Sequence, residues 1–544
     1  MKVALAQINT TVGALKENTD KAIQYIDKAR RDGADIVLLP ETTIPGYMTL
    51  DLLFNDKFIS DNLKELDRLI SESENIIVIV GFVESLDNKL YNTAGVIQDG
   101  KLVGKVHKIK LPTYDVFNED RYYTTGVNSG PVKVKVDGST TNLGIQICED
   151  MWDISASNVT SVLAANNSDI LLNISASPYA EGKISERIGL ITNHSKNTGK
   201  PFFYCNLVGG QDEVVFDGTS MASDTNGNLV HISESFKEEL SIIDLEDKKF
   251  NKSDNGTGLR DENIEDSFNA ITLGIHDYIK KSGFNSALIG LSGGIDSSLV
   301  AVLASEALGP ENVTGVSMPS RYSSEHSKKD AEELANKLGL NFKSISIEKM
   351  FSTYLEALSE HFGNSDRNES EENIQARIRG NILMALSNKF GHMLLSTGNK
   401  TELALGYATM YGDMAGGLSP ISDVSKLQVY KMCRYYNSKN NSAIIPESVL
   451  SKKPSAELSE NQFDPFDYEV VSPLVEDIIE HVKSNAELIK AGYTIEDIER
   501  IQKLIRNSEY KRRQAPPGIK ITKRAFGMGR RMPLINHYRA ELYD

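Results

Sequence analysis

A glycine- and serine-rich loop in the C-terminal half of the sequence has the residue types of an anion site. Ser292-Gly-Gly-Ile-Asp-Ser-Ser298 directly follows an apolar stretch and directly precedes a helical pattern. Glycines let the backbone turn tightly and approach an anion, and the helix start offers free N–H groups and a partial positive charge. Asp296 is placed to hold a magnesium ion through carboxylate oxygens. A Gly/Ser loop that ends in an aspartate N-cap is the alternative interpretation.

Three residues in the N-terminal half supply a thiol, a carboxylate and an amine. Cys148 ends an apolar run, Glu41 lies just past another, and Lys108 follows a predicted hairpin. A thiol beside a base can carry out acyl transfer. Taken singly, each residue has a structural explanation: a buried thiol at a strand end, an acid at a helix start and a solvated charge. Lys110 is a second candidate for the amine.

The sequence around these groups has the pattern of alternating strands and helices. In the first half, Asp99-Gly100 between two apolar runs predicts a tight hairpin. In the second half, strands alternate with helical patterns, which predicts right-handed crossovers and a doubly wound parallel sheet. Both halves are therefore expected to be α/β. The predicted strands are residues 3–8, 35–40, 76–82, 93–98, 101–106, 143–148, 170–175, 202–208, 286–291, 313–318, 342–347 and 392–397.

The length, net charge and cysteine content of the chain limit the functions that it can have. A chain of 544 residues is too long for one core, so two or three domains are expected. The net charge of −16 disfavours a nucleic-acid partner, and we find no apolar run of the ~20 residues that span a membrane. Three widely spaced cysteines suggest neither a disulfide framework nor a zinc site, and with no secretory signal they favour the cytoplasm.

The C-terminal motifs carry a family resemblance. The Ser292–Ser298 loop resembles the SGGxDS loop of the ATP pyrophosphatase superfamily, whose members release pyrophosphate. Together with residues 371–380, 396–402 and 406–413, it closely resembles the NAD synthetases. Each of these stretches by itself would be taken for a solvated helix face or a loop.

That resemblance implies a role for each matched residue. Magnesium would be held by Asp296 and Glu402. ATP would be bound by Leu291, Ser292, Gly293, Gly294, Ile295, Asp296, Ser297, Ser298 and Thr397. Deamido-NAD would be bound by Asn373, Glu402, Tyr407, Ala408, Thr409, Met410 and Lys511.

The N-terminal triad resembles the Glu–Lys–Cys constellation of the nitrilase superfamily, which implies an αββα sandwich. By that resemblance Glu41 is the proton acceptor, Cys148 attacks a carboxamide to form a thioester, and Lys108 stabilises the oxyanion. Lys108 is preferred to Lys110 because the family pattern is Lys-x-x-Leu-Pro. The matched glutamine-binding residues are Tyr114, Ser177 and Lys183.

The combined resemblance implies a glutamine-dependent NAD synthetase. Its substrates would be glutamine, ATP and deamido-NAD, its metal Mg²⁺, its location the cytoplasm and its assembly a homo-oligomer, with no nucleic-acid or membrane partner. We predict a glutaminase domain at residues 1–243, a charged linker at 244–266 and a synthetase domain at 267–544. The sequence departs from the family at Thr113, at Asn118 and in residues 459–468.

Three other functions are weighed against this one. An amidotransferase for another carboxylate or a nucleotide base would keep both folds, but residues 371–380 and 396–413 speak against it. An RNA-modifying enzyme would be expected to have a basic groove or paired cysteines. A binding protein with dead sites would be expected to have a broken triad or loop, and neither is broken.

Overall fold

The computed structural model describes residues 1–127, 130–152, 158–244, 264–363, 366 and 368–538. The chain divides into two compact units, Met1–Glu262 and Asn263–Asp544. Most of the predicted linker, residues 245–263, lies outside the described residues. No helix in the described part of the chain is long and apolar enough to cross a membrane.

The first unit contains two six-stranded sheets, ordered β14-β1-β2-β3-β4-β5 and β13-β12-β9-β8-β7-β6, and a β10-β11 hairpin. In each sheet the three central strands are parallel and the flanking pairs antiparallel. The strands are β1 Lys2–Gln7, β2 Ile36–Leu38, β3 Ile77–Leu86, β4 Lys89–Gln98, β5 Lys101–His107, β6 Val132–Val136, β7 Ser139–Ile147, β8 Ile170–Ser175, β9 Phe202–Asn206, β10 Val208–Gln211, β11 Val214–Asp217, β12 Met221–Ser223, β13 Leu229–Ile232 and β14 Glu239–Asp244.

These sheets are the inner layers of an αββα sandwich. Apolar side chains of both sheets, such as Leu5 and Leu172, share one buried core. The outer face of the first sheet packs against residues of α1 and α2, and that of the second against α3 and α4. The predicted sandwich is thereby confirmed. The helices are α1 Leu15–Arg31, α2 Asp56–Ser71, α3 Val159–Ala165 and α4 Lys183–Thr198.

Two local predictions in this unit have different outcomes. The hairpin at Asp99-Gly100 is confirmed: β4 and β5 pair antiparallel, and both turn residues have positive φ, as a two-residue turn of this type needs. The single strand predicted at residues 202–208 is wrong, because β9 ends at Asn206. Gly209 has a φ of +121°, and the next strand pairs with β11 instead of extending the sheet.

The second unit is built on a four-stranded parallel sheet in the order β17-β16-β15-β18. The chain starts in β15, winds outward to β17 and returns to β18 on the other side, which confirms the doubly wound prediction and places a switch point at β15. The strands are β15 Ala287–Gly290, β16 Val313–Ser317, β17 Asn341–Ser344 and β18 Met393–Leu395.

Helices cover both faces of this sheet. One face packs on α8 and α9 through residues such as Phe351 and Ile378, and a separate helical core joins α10, α13, α14 and α15. The helices are α5 Ile264–Lys281, α6 Ile295–Leu308, α7 Glu325–Leu338, α8 Glu348–Phe362, α9 Glu369–Phe390, α10 Lys400–Leu405, α11 Lys426–Lys439, α12 Glu447–Ser451, α13 Tyr468–Ile479, α14 Asn485–Lys490, α15 Ile495–Asn507 and α16 Glu509–Arg512.

Candidate active sites

Cys148 lies at the carboxyl end of β7, on a sharp turn. It is the first residue of a 3₁₀ turn, Cys148–Met151, and has a φ of +45°, which is uncommon for a residue with a side chain. Because β7 and β8 are parallel, their carboxyl ends meet at one edge of the sheet. Cys148 is 5% exposed, so it is largely shielded from bulk water.

Lys108 binds two carboxylates in the interior of the first unit. Its ammonium donates to Glu41 Oε1 at 2.7 Å and to Glu119 Oε1 at 2.8 Å. The lysine side chain is 1% exposed and that of Glu41 is 0% exposed. Of the two lysines that the sequence left open, Lys108 makes these contacts, whereas Lys110 is exposed.

Burial and charge set the protonation of this cluster. Burial alone would lower the pKa of Lys108, but Glu119 and Glu41 raise it well above its ordinary value. Burial raises the pKa of Glu119 to about 7, against the opposing effect of Lys108. Burial, followed by the charge of Glu41, raises the pKa of the Cys148 thiol. The resting cysteine is therefore a thiol that needs a base.

Glu41 is held so that its carboxylate stays available. Asn92 Nδ2 donates to Oε1 at 2.7 Å, and the backbone N–H of Ala176 donates to Oε2 at 2.9 Å. These donors come from β4 and from the residue after β8, so the carboxylate is fixed between the two sheets of the sandwich.

The predicted glutamine-binding residues lie around this cluster. Tyr114 is half exposed and donates to Glu149 Oε2 at 2.9 Å. Lys183, the first residue of α4, lies 3.7 Å above the ring centroid of Trp152. Ser177 is buried, and its N–H donates to Asn206. Burial lowers the pKa of Lys183, whereas Glu149 is among the charges that raise it.

In the second unit, the Ser292–Ser298 loop connects β15 to α6. Gly293 has a φ of +78°, and a Cβ there would lie 2.1 Å from the carbonyl oxygen of Ser327. Gly294 is the N-cap of α6, so the first N–H groups of that helix are left for a ligand. Ser298 points the other way, since its hydroxyl donates to the Gly294 carbonyl within the helix at 2.8 Å.

Asp296 and Glu402 converge on one cation. The ammonium of Lys426 donates to Asp296 Oδ2 at 2.6 Å and to Glu402 Oε1 at 3.1 Å. Glu402 is placed by a capping box with Asn399 at the start of α10. Two carboxylates that reach a single cation are a fitting donor set for magnesium. Within the described residues, no cluster of three or more acidic, histidine or cysteine side chains could hold a metal.

Two cavities adjoin these residues. One of about 480 Å³ extends from the loop towards α9, and a smaller one of about 210 Å³ lies over the two carboxylates. Ser292, Thr397 and Tyr407 line both. The larger is also lined by Leu291, Asn373, Ala408, Thr409 and Lys511, and the smaller by Gly294, Ile295, Asp296, Ser297 and Glu402.

Comparison with known proteins agrees with both halves of this description. The carbon-nitrogen hydrolase family matches residues 2–249, and the NAD synthase family matches residues 267–515. Glutamine-dependent NAD(+) synthetases from Synechocystis and Thermotoga maritima are 43% and 40% identical, covering 98% and 100% of both chains. The chain belongs to the glutamine-dependent NAD(+) synthetases. A solved member of the family, from Acinetobacter baumannii in complex with ADP, is 36% identical over 99% of both chains with a TM-score of 0.79.

The structure separates one residue from the group expected for this family's second site. Met410 lines a neighbouring cavity with Tyr354 and Met384 rather than the 480 Å³ cavity. Its carbonyl accepts a hydrogen bond from Arg377. Four other deamido-NAD candidates make hydrogen bonds close by: Thr409 donates to Asn373 Oδ1 at 2.6 Å, and Lys511 donates to the carbonyls of Gly406 and Ala408.

Glu119 and Lys426 are among the charged residues of the sites that were not singled out from the sequence. Glu119 is the second carboxylate on Lys108, and Lys426 is the cation between Asp296 and Glu402. A signal for Lys426 exists, because a lysine at the first position of a helix is unfavourable to the helix dipole unless an anion lies nearby. Glu119 follows Lys108 by eleven residues and begins a short 3₁₀ turn, Glu119–Arg121. Its spacing from Lys108 along the chain does not determine its side-chain direction.

Proposed function

We propose that this enzyme hydrolyses glutamine at Cys148 and uses the ammonia, with ATP, to convert the carboxylate of deamido-NAD to the amide of NAD. The observation that carries the glutaminase half is the buried Lys108, bound to Glu41 and Glu119 in the unit that presents Cys148 on a strained turn. The observation that supports the ligase half is the glycine loop beside two convergent carboxylates.

In the glutaminase reaction, Glu41 takes the thiol proton as the sulfur attacks the carboxamide carbon. Lys108 and the backbone N–H after Cys148 stabilise the oxyanion. When the C–N bond breaks, the proton passes from Glu41 to the leaving amine, and ammonia departs from a thioester. Glu41 then takes a proton from water, which attacks the thioester to release glutamate and restore the thiol.

Glutamine recognition would use charges at the rim of this site. We assign the α-carboxylate of glutamine to Lys183 and its α-ammonium to Glu149, with Tyr114 and Ser177 as polar contacts. Support comes from the Tyr114–Glu149 hydrogen bond and from the electrostatic influence of Glu149 on Lys183, which place opposite charges near one another. A zwitterion is complementary to such a pair of charges.

In the ligase reaction, the nicotinate carboxylate attacks the α-phosphorus of ATP and pyrophosphate leaves. Ammonia then attacks the carbonyl carbon of the adenylate, and AMP departs. The loop N–H groups would bind the phosphates, as expected at a helix start. Magnesium held by Asp296 and Glu402 would neutralise the charge that develops on pyrophosphate. Lys426 would keep the two carboxylates close together.

Two further features belong to the proposal. A cytoplasmic location is supported by the three cysteines, all of which are free thiols, including the one proposed as nucleophile. Homo-oligomerisation stays a prediction from the family resemblance.

The test is NAD formation from deamido-NAD, ATP and Mg²⁺, with either glutamine or ammonium as nitrogen source. We expect Cys148→Ala to lose the glutamine-driven reaction and to keep the ammonium-driven one. Cys205→Ala removes another buried thiol of the same unit and is the matched control. If the wild-type enzyme makes no NAD from either source, the acceptor is wrong and an amidotransferase for another carboxylate takes its place.

A further inference from the structure

We propose that Asp150 is a positioning residue that locks the Cys148 turn to the Lys108 segment. One of its carboxylate oxygens, Oδ1, accepts from the backbone N–H of Ile109 at 3.0 Å and of Lys110 at 2.8 Å. The other oxygen accepts from the N–H of Ile147 at 3.0 Å. One side chain thus joins the two segments that carry the amine and the thiol. This inference rests on the proposed glutaminase reaction.

Two of the three bonds satisfy backbone N–H groups that lie beyond the end of a strand. Strand β5 ends at His107, so the N–H groups of Ile109 and Lys110 lie beyond its ladder. Asp150 is 1% exposed, which means that water does not take its place as the acceptor. A buried N–H without an acceptor costs about 1–3 kcal/mol. The carboxylate therefore holds both segments in the geometry that satisfies all three donors.

Charge is part of the requirement at this position. Burial raises the pKa of Asp150 to about 6, against the backbone N–H of Ile147 and Lys110, which lower it. At neutral pH the group is ionised and acts only as an acceptor. An asparagine has one acceptor oxygen and an NH₂ group, so it can serve either Ile147 or the 109–110 pair but meets the other side with a donor.

Asp150 affects the Cys148 thiol and the Lys108 ammonium indirectly, through the backbone next to each of them. The Cys148 backbone is in the left-handed region, and the Ile147–Asp150 bond closes the turn that holds it there. Lys108 directly precedes the other two donors. If Asp150 no longer binds either segment, the thiol and the ammonium lose their fixed separation, whereas Lys183, on α4, keeps its own position.

The experiment compares Asp150→Asn and Asp150→Glu with the wild-type full chain. Glutamine hydrolysis gives kcat and KM, and the rate of Cys148 alkylation by iodoacetamide between pH 6 and 10 gives the thiol profile. The melting temperature of the first unit reports whether each variant is folded, and ammonium-driven NAD synthesis reports whether the second unit is intact. Because a displacement of about 1 Å costs on the order of 10²-fold, we expect Asp150→Asn to lose roughly that in kcat with KM within about threefold. The alkylation rate at each pH should fall, because Lys108 is no longer held where its charge stabilises the thiolate.

Asn62→Ala is the control for a purely structural loss. Asn62 is a buried side chain of the same unit, and its amide bonds the backbone of Val83 in β3 rather than the Asp150 turn. It should lower the melting temperature and leave kcat and the thiol profile unchanged. If Asp150→Asn behaves in the same way, the positioning role is refuted. Asp150→Glu, which keeps the charge, should recover part of the kcat. Absence of glutamine hydrolysis in the wild type would refute the proposed function instead, and the alkylation profile would still test Asp150.

Discussion

Glu119 accepts a hydrogen bond from Lys108 at 2.8 Å, and its other oxygen is buried without a hydrogen-bond partner among the described residues. Tyr47 donates to the bonded oxygen as well. The Lys108 ammonium is thus held by two carboxylates, Glu41 and Glu119. Glu41 can act as the base only if Glu119 helps to hold the Lys108 ammonium.

Removing the charge of Glu119 should therefore impair chemistry more than binding. We expect Glu119→Gln to lower kcat for glutamine hydrolysis by about 10- to 100-fold, within the range for a group that supports acid–base catalysis, with little change in KM. Glu84→Gln is the control, since Glu84 also accepts from a lysine and a histidine, Lys105 and His107, on the same sheet. Equal kcat values for Glu119→Gln and the wild type would contradict the role.

Glu119 should also change how the stability of the folded protein depends on pH. Its pKa rises from 4.5 unfolded to about 7 folded because of burial, so the folded state binds the proton more tightly. Stability contributed by the protonated form is present below about pH 4.5 and is lost as pH rises to about 7, by at most about 1.4 kcal/mol per pH unit. As pH rises over this interval, the melting temperature of the wild type should fall relative to that of Glu119→Gln.

The same scan on Glu84→Gln should give the opposite sign. Burial alone would raise the pKa of Glu84, but Lys105 and His107 lower it below its ordinary value. Its contribution is present at neutral pH and lost as pH falls through the folded pKa. Calorimetry of the full chain separates transitions of the two units, and parallel curves for the two variants would contradict both assignments.

Substrate discrimination should depend on Glu149. Glutaramate is glutamine without its α-ammonium, so it tests that contact alone. We expect Glu149→Gln to raise KM for glutamine about 10- to 100-fold, as for the loss of a charge-assisted hydrogen bond, and to leave glutaramate hydrolysis nearly unchanged. Glu186→Gln, which removes the carboxylate 3.6 Å from Lys183, is the matched control. A parallel loss on both substrates would rule out recognition of the ammonium.

The phosphate loop can be tested with a pair of glycines. Gly293 and Gly283 have φ of +78° and +82°, but a Cβ meets the Ser327 carbonyl only at Gly293 and has open space at Gly283. Gly283→Ala should cost about 1–2 kcal/mol of backbone strain and leave ATP binding intact. Gly293→Ala should weaken ATP at least tenfold in both nitrogen-source assays, because the loop must shift. Calorimetric titration with a non-hydrolysable ATP analogue measures this, and equal affinities would argue against the loop as the phosphate site.

Features with local causes could be predicted from the sequence. The Asp99-Gly100 turn, the helix that starts next to Asp296 and the alternation of strands and helices depend on φ preferences and hydrophobic periodicity within a few residues. In a parallel sheet the carboxyl ends of the strands share one edge, so Ser292 and Thr397 could be expected near each other without coordinates. They line the same two cavities.

Which charged side chains contact one another could be determined only from the tertiary structure. Glu119, Asp150 and Lys426 make their defining contacts across 11, 40 and 130 residues of sequence, to Lys108, Lys110 and Asp296. The direction of a buried side chain depends on how several helices and strands pack together, and the hydrophobic periodicity of one of them does not determine that direction. Met410, predicted in the same site as Thr409, lines the adjacent cavity, and its role stays a prediction. Residue types and local order determined the two chemistries, and packing determined the partners that hold their groups in place.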